Sequence, residues 1–481
     1  MLSSTRQRFR VLGVMLFILA LYIVLAYAFY SGLTRHMLGA GDFFPRWMGA
    51  RALFLRGENP YSDAVTQEIQ RAMYGRLARP DEDQVAFAYP LYAAFIIAPF
   101  VGLAYAQAQA LWMALLVLLV VGGALLLARW YRFAWTPLFF AMLVVGVLLF
   151  YPTVRGVFLG QYALVSFFLL VLAFVAIEAR FDFLGGALVA LATIKPQPVV
   201  FFLLTLMFWA FYQRRWRIVC GAAITLGILF AGAMLWVPTW LGDFVQAVRH
   251  YAGYARVGPP AQTLVEVFAP RAWSLALTWV LGGGLLVWMV HTVWRARALA
   301  WDQWPPVLGI VAIVTTWTAV RIGTPDQVLL LIPWIYWLSS WVKQKRYGPA
   351  LLATLMGIAL PWVIFLMTLQ GNAEDIRVTI VLPLLALVLY VWQKLWPPVC
   401  KGNYSALHPG CCVCHGEERS LRRSNLRASQ FSPINERLLR RKTARHDIIA
   451  TEPVNVKNRQ NHRVFVWRAI TFACTRGGLL S

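Results

Sequence analysis

Apolar runs of about 20 residues recur along most of this chain, and they limit its fold more than any other feature. Stretches such as 11–30, 111–128 and 218–237 each reach the ~20 residues that an α-helix needs to cross a ~30 Å hydrocarbon layer. None has the strict alternation of a barrel strand. With 11–30, the apolar segments number twelve, the others falling at about 88–104, 107–128, 135–150, 161–178, 184–211, 218–237, 273–293, 305–322, 327–342, 349–369 and 376–395. With 60% hydrophobic residues in 481, there is far more apolar surface than a soluble core could absorb. The expected fold is an all-α polytopic membrane protein of about 10–12 transmembrane helices, residues 1–398, each helix satisfying its own backbone.

The net charge of +24 does not indicate a nucleic-acid partner, because the basic residues lie in short turns between spans and in the C-terminal tail. Arg6, Arg8 and Arg10, then Arg214, Arg215 and Arg217, Arg295 with Arg297, and Lys343 with Lys345 and Arg346 are the kind of clusters retained on the cytoplasmic side. The amino terminus is therefore expected inside, with no cleavable signal, since 11–30 is long enough to span. Simple alternation then puts Arg129, Arg132 and Arg180 outside, against the same rule. The conflict disappears if 88–104, bracketed by Pro90 and Pro99, and 184–211, broken by Lys195-Pro196-Gln197-Pro198, are re-entrant or paired half-helices.

Two long external loops follow from this topology, at 31–86 and 238–272. The first opens with Gly41-Asp42-Phe43-Phe44-Pro45-Arg46-Trp47, whose mixture of aromatics and arginines suits an interfacial helix, with Gly57 ending it and Asn59-Pro60 turning the chain. Val65, Ile69, Met73 and Leu77 mark a second helix over 62–77 with Ser62 as its cap. A carboxylate at Asp42, beside a membrane, is either the N-cap of the first of these helices or a reacting group. Asp81-Glu82-Asp83 reads as a solvated acidic loop rather than a divalent-cation site.

From about residue 399 to 481 the character changes. Residues 401–481 hold 15 Lys/Arg against 5 Asp/Glu with no helical or strand period, which predicts a basic, disordered tail resembling an appended or out-of-frame extension. Binding of anionic lipid is the functional alternative. Cys411, Cys412, Cys414 and His415 lack the second ligand pair a zinc site needs. No cofactor is expected; a divalent cation could take part, but none is indicated by the residues.

Polar side chains fall where lipid would not tolerate them: Asp42, Arg46, Gln161, Lys195, Gln197, Arg321, Asp326 and Gln327. A lysine inside an apolar run is costly, so Lys195 either faces a cavity and an anionic partner or snorkels to an interface. These residues sit within an ordered set of motifs: Gly41-Asp42-Phe43-Phe44, Ala50-Arg51-Ala52-Leu53 leading to Gly57-Glu58-Asn59-Pro60-Tyr61, Phe87-Ala88-Tyr89-Pro90, Gly160-Gln161, Ile194-Lys195-Pro196, and Thr324-Pro325-Asp326-Gln327. In order and spacing the set resembles the polytopic glycosyltransferases of family 87, which include polyprenyl-phosphate-mannose-dependent α-mannosyltransferases. The resemblance implies a GT-C-type enzyme in a bacterial plasma membrane, with an extracytoplasmic active site. Its donor would be a polyprenyl-phosphate-linked sugar and its acceptor a lipid or cell-envelope glycan. It further implies Asp42 as general base, while the residues expected to bind substrate are Arg46, Tyr89, Gln161, Lys195, Gln197, Arg321, Asp326 and Gln327. Some relatives carry a histidine in the segment aligned with Thr324–Gln327, and this chain has none there.

Three other classes compete with that reading. A transporter or flippase of lipid-linked or anionic substrates would also bury Lys195, but it should show two similar halves, and no internal repeat is visible. An oligosaccharide polymerase or ligase should carry its large external loop late in the chain, whereas here it follows the first span. A purely structural membrane protein has no use for Asp42, Lys195 and Asp326 together.

Overall fold

The computed structural model describes residues 2–395 apart from 38, 40, 81, 134, 255–257, 321 and 370–374. The chain divides into units at Met1–Leu395 and Trp396–Ser481. The basic tail, its cysteines and Arg321 therefore lie outside the described residues. Among those residues every regular element is helical.

In chain order, α1 (Leu2–Phe29) continues into a π turn at Tyr30–Thr34, and the first loop folds as α2 (Phe43–Arg51), a second π turn at Ala52–Arg56, and α3 (Asp63–Tyr74). After a short segment centred on α4 (Ala94–Ile97) come α5 (Tyr105–Trp130), the pair α6 (Pro137–Leu149) and α7 (Tyr151–Leu159), then α8 (Ala163–Glu178), α9 (Asp182–Ala192), α10 (Val200–Tyr212) and α11 (Trp216–Trp236). The second loop holds α12 (Trp240–Tyr254) and α13 (Pro260–Phe268). The chain then runs through α14 (Arg271–Ala296), α15 (Pro305–Thr318), a 3₁₀ turn at Thr324–Leu330, α16 (Leu331–Lys343), α17 (Tyr347–Thr368) and α18 (Val378–Leu395).

Six of these helices are individually long and apolar enough to cross a membrane, and the bent α6–α7 pair makes seven. Shorter apolar helices make up the rest of the apolar segments, because the runs seen in the sequence continue through breaks in the helix. The segment 88–104 contributes only a ten-residue helical piece, Leu91–Phe100. The segment 184–211 is split at Thr193–Val199 into α9 and α10, of 11 and 13 residues. At 1.5 Å per residue these are ~16 and ~20 Å long, short of a ~30 Å hydrocarbon layer. The turn joining them, which contains Lys195, therefore ends inside the bundle.

The first loop differs in detail from the sequence expectation. Ser62 caps α3 by accepting the Val65 N–H, but the helix stops at Tyr74 because Gly75 takes a left-handed conformation, φ 71°, before Leu77 is reached. Helix α2 does not lie exposed on a surface: Phe43, Trp47, Met48 and Ala50 are buried, and so is Arg46. Gly57, at φ 68°, ends the π turn after it as expected.

Close packing fixes α9 in place. A Cβ on Gly186 would lie 1.9 Å from the Ile218 carbonyl oxygen, and one on Gly221 would lie 2.1 Å from that of Phe183, so α9 and α11 touch backbone to backbone. Small residues at a membrane helix crossing allow this approach and the dispersion contacts that come with it.

Contacts between turns show which helix ends lie together. Trp130 stacks on Trp301, Arg215 bonds Asp182 and the Ile177 carbonyl, Gln213 donates to the Arg297 carbonyl, and Lys343 donates to that of Tyr131. The turns carrying Arg129, Arg132, Arg180, Arg214, Arg297 and Lys345 therefore meet at one end of the bundle. Helices α5, α8, α9, α10, α15 and α16 each have one terminus at that end. This brings the arginines that alternation had placed on the wrong side together with the rest, which is the arrangement that broken segments at 88–104 and 184–211 allow.

Candidate active site

The other end holds a buried polar network assembled from four connections. Asp42 precedes α2, Gln161 lies in the tight turn between α7 and α8, Lys195 in the α9–α10 turn, and Asp326 in the 3₁₀ turn after α15. Gln161 joins them: its Nε2 donates to Asp42 Oδ2, and its Oε1 accepts from Lys195 Nζ at 2.9 Å and from Arg46 Nη2 at 3.4 Å. Lys195 Nζ in turn lies 2.6 Å from Asp326 Oδ1, an ion pair off the angle of a good hydrogen bond, while Asp326 Oδ2 accepts the Gly323 N–H at 3.0 Å.

Asp42 is positioned as the N-cap of α2 but makes no capping bond with its side chain. Its carboxylate is turned to Gln161, so the capping role that competed with chemistry is not the one this side chain performs. Arg46, one turn on, is 3% exposed. It donates to the Tyr89 hydroxyl and, at 3.3 Å, to the Gly160 carbonyl, and its guanidinium lies 4.2 Å from the Tyr89 ring centre and 5.1 Å from that of Tyr162. Its Nε is buried with no hydrogen-bond partner. A buried, orphaned donor on a cation is costly unless a ligand or water completes it.

Gly160 makes this geometry possible. It sits at φ 70°, and a Cβ there would meet Phe43 Cβ at 2.5 Å. The turn presents the Gly160 carbonyl to both Arg46 and Trp112 Nε1, the latter at 2.9 Å, and turns Gln161 inward. Two acids and two cations, Asp42, Asp326, Arg46 and Lys195, make the network formally neutral. Charges at this depth are tolerated on that condition.

Of the residues singled out in the sequence, Asp42, Arg46, Tyr89, Gln161, Lys195 and Asp326 are thus connected. Gln327 is fully buried beside them but donates to the Thr379 carbonyl at 2.6 Å, at the start of α18, and its Oε1 has no partner. Gln197 Oε1 is likewise buried without a partner, and no bond ties it to the network. Arg321 lies outside the described residues. Sequence reasoning missed Tyr162, which stacks edge-on against Tyr89 and donates to the Ala93 carbonyl, and the backbone carbonyl of Gly160. The phenol of Tyr162 follows Gly160-Gln161 directly and was the signal available.

The acidic loop is occupied by its own geometry. Glu82 takes both arms of Arg76 and the Arg79 N–H, which hold its carboxyl down at a pKa of about 2, and Asp83 takes the Val85 N–H. Among the described residues no group of three or more His, Cys, Asp or Glu is arranged to hold a metal ion.

An all-α bundle with several membrane-crossing helices and a buried polar centre at one end defines a polytopic membrane protein. Residues 87–320 match the family model of glycosyltransferase family 87. Over that region the chain is similar to this family, which indicates a membrane glycosyltransferase. The match takes in Tyr89, Gln161, Lys195 and Gln197, while Asp42, Arg46, Asp326 and Gln327 are brought to them by the fold. No curated protein and no solved structure matches the chain.

Proposed function

We propose that the protein moves a sugar, mannose in our reading, from a polyprenyl-phosphate donor to a lipid-linked or cell-envelope glycan acceptor, in one inverting displacement of the GT-C type. The observation that carries the proposal is the continuous chain Asp42–Gln161–Lys195–Asp326 with Arg46 alongside, at the bundle end away from the basic turns. The positive-inside tendency assigns those turns to the cytoplasm of a bacterial plasma membrane, and hence this centre to the extracytoplasmic side.

In the proposed reaction Asp42 accepts the proton of the acceptor hydroxyl. The freed oxygen attacks the anomeric carbon from the face opposite the phosphate, and the bond from that carbon to the phosphate oxygen breaks, its electron pair leaving with the polyprenyl phosphate. Gln161 holds the Asp42 carboxylate in place, as its hydrogen bond supports. The leaving phosphate gains charge on departure and needs fixed cations. Arg46, with its unpartnered Nε, is the better placed of the two, while Lys195 is already neutralised by Asp326 and takes part by shifting towards the phosphate. No metal enters the scheme.

Asp42→Asn tests this. It preserves size and the bond to Gln161 while removing the basicity. In purified protein supplied with polyprenyl-phosphate mannose and a mannoside lipid acceptor, transfer should fall roughly 10²- to 10⁴-fold, the usual share of positioned acid–base catalysis, with folding unchanged. Near-native turnover would remove Asp42 from the mechanism and leave Asp326 as the next candidate.

A further inference from the structure

A groove of about 760 Å³ lies between the two long loops, and the polar network does not line it. One wall is α3, which presents Asp63, Thr66, Gln67 and Gln70 at helical spacing, and the other is α12, which presents Asp243, Gln246 and His250 in the same way. The walls are joined at one point, where Asn59 Nδ2 donates to Asp243 Oδ2 at 2.8 Å. The volume falls in the ~300–1,000 Å³ range of small-ligand sites.

The lining is unusual for this molecule. Among the described residues no Lys or Arg lines this groove, which holds two carboxylates, several amides and the partly exposed ring of Tyr61. A phosphate or other anion would meet the carboxylates of Asp63 and Asp243 there. Amides that donate and accept, carboxylates that accept and the face of Tyr61 fit a neutral polyhydroxyl compound. The groove also connects to the polar network: the Tyr61 hydroxyl donates to the Tyr89 carbonyl at 2.5 Å, and the Tyr89 hydroxyl is the one held by Arg46.

We infer that this groove binds the uncharged oligosaccharide of the acceptor and leads its terminal hydroxyl towards Asp42, while the anionic donor binds elsewhere. The assignment of the sugar as acceptor rests on the proposed transferase reaction; the binding itself does not. The test is saturation-transfer NMR on the full chain in lipid nanodiscs, with linear mannotriose, maltotriose and a trisaccharide of uronic acids as probes. At least one neutral trisaccharide should receive saturation and the uronic acid compound should not. Gln246→Trp, an exposed position whose new ring would fill the groove, should weaken the neutral probe by about tenfold or more through lost hydrogen bonds. Asp42→Asn should leave this binding intact, so failure of the catalytic proposal would be seen separately from failure of this one. Absence of a signal from both neutral probes, a signal unchanged by Gln246→Trp, or equal binding of the charged compound would overturn the inference.

Discussion

The two ends of the bundle solve the same backbone problem with different residues. At the basic end α5, α8, α10 and α16 all finish in one motif, in which the N–H two residues beyond the cap bonds back across the last turn: Phe133 to the Ala128 carbonyl, Phe181 to Ala176, Arg215 to Ala210 and Arg346 to Trp341, all at 2.8–2.9 Å. The left-handed position in each is a basic residue, Arg132, Arg180, Arg214 and Lys345, at φ 54–64°. At the network end α7 closes in the same way, Gln161 to the Gly156 carbonyl, but its left-handed residue is Gly160. The four basic residues are exposed, so a side chain has room and its charge favours the negative helix terminus. Gly160 has Phe43 and Trp112 against it and no room for a Cβ. One end uses its turns to display charge to the surroundings, and the other uses them to bring buried charges together.

Breaking a charge pair should therefore cost far more at one end than at the other. Lys195→Met leaves Asp326 buried without a counter-ion, for which we expect a loss of about 3–5 kcal/mol in the stability of purified protein, partly recovered by adding Asp326→Asn. Arg215→Met at the basic end, where the Asp182 side chain keeps 15% exposure against 2% for Asp326, should cost less, about 1–2 kcal/mol. Chemical denaturation in detergent would measure both, and equal losses would remove the distinction. Next in size is the turn itself. Gly160→Ala adds a methyl in the left-handed region against Phe43, an expected cost of about 2–4 kcal/mol, whereas Arg180→Gly should stay within about 1 kcal/mol of the native protein. If Gly160→Ala proved harmless, the tight approach of α2 to this turn would not be what positions Gln161.

The smallest expected effect lies away from both ends. Glu82 has its carboxyl held low by Arg76 and the Arg79 N–H, so the loop it ties is fully latched above the ordinary carboxylate range and loosens as pH falls towards about 2. Hydrogen exchange over residues 76–84 should be unchanged between pH 7 and 5 after correction for intrinsic rates and should rise below pH 4. Faster exchange already at pH 5 would contradict the pairing.

Much of this was legible in the sequence, and the remainder was hidden for identifiable reasons. Polar residues in apolar surroundings stand out, so Asp42, Arg46, Gln161, Lys195 and Asp326 could be picked from the chain alone. Which of them pair could not: Lys195 and Asp326 are 131 positions apart and meet only because α9 and α15 end at the same depth. The lengths of the short helices were only partly legible: Lys195-Pro196-Gln197-Pro198 marks the break between α9 and α10, whereas Phe150 between α6 and α7, and 101–104 before α5, are themselves apolar. The burial of α2 was masked by its arginines, which suggest a surface until Arg46 is seen among Tyr89, Tyr162 and Gly160. The left-handed arginines and lysine were invisible to a rule that expects glycine at such turns.

The central claim is that these two ends face opposite sides of the membrane, with the polar network outside. It is tested most directly by placing single cysteines, in a chain with its six native cysteines replaced, at the exposed Glu58 in the first loop and at Gln344 beside the basic turn of α16. In intact cells a membrane-impermeant maleimide should label Glu58→Cys, and it should label Gln344→Cys only after permeabilisation. The reverse pattern, or labelling of both positions in intact cells, would contradict the account.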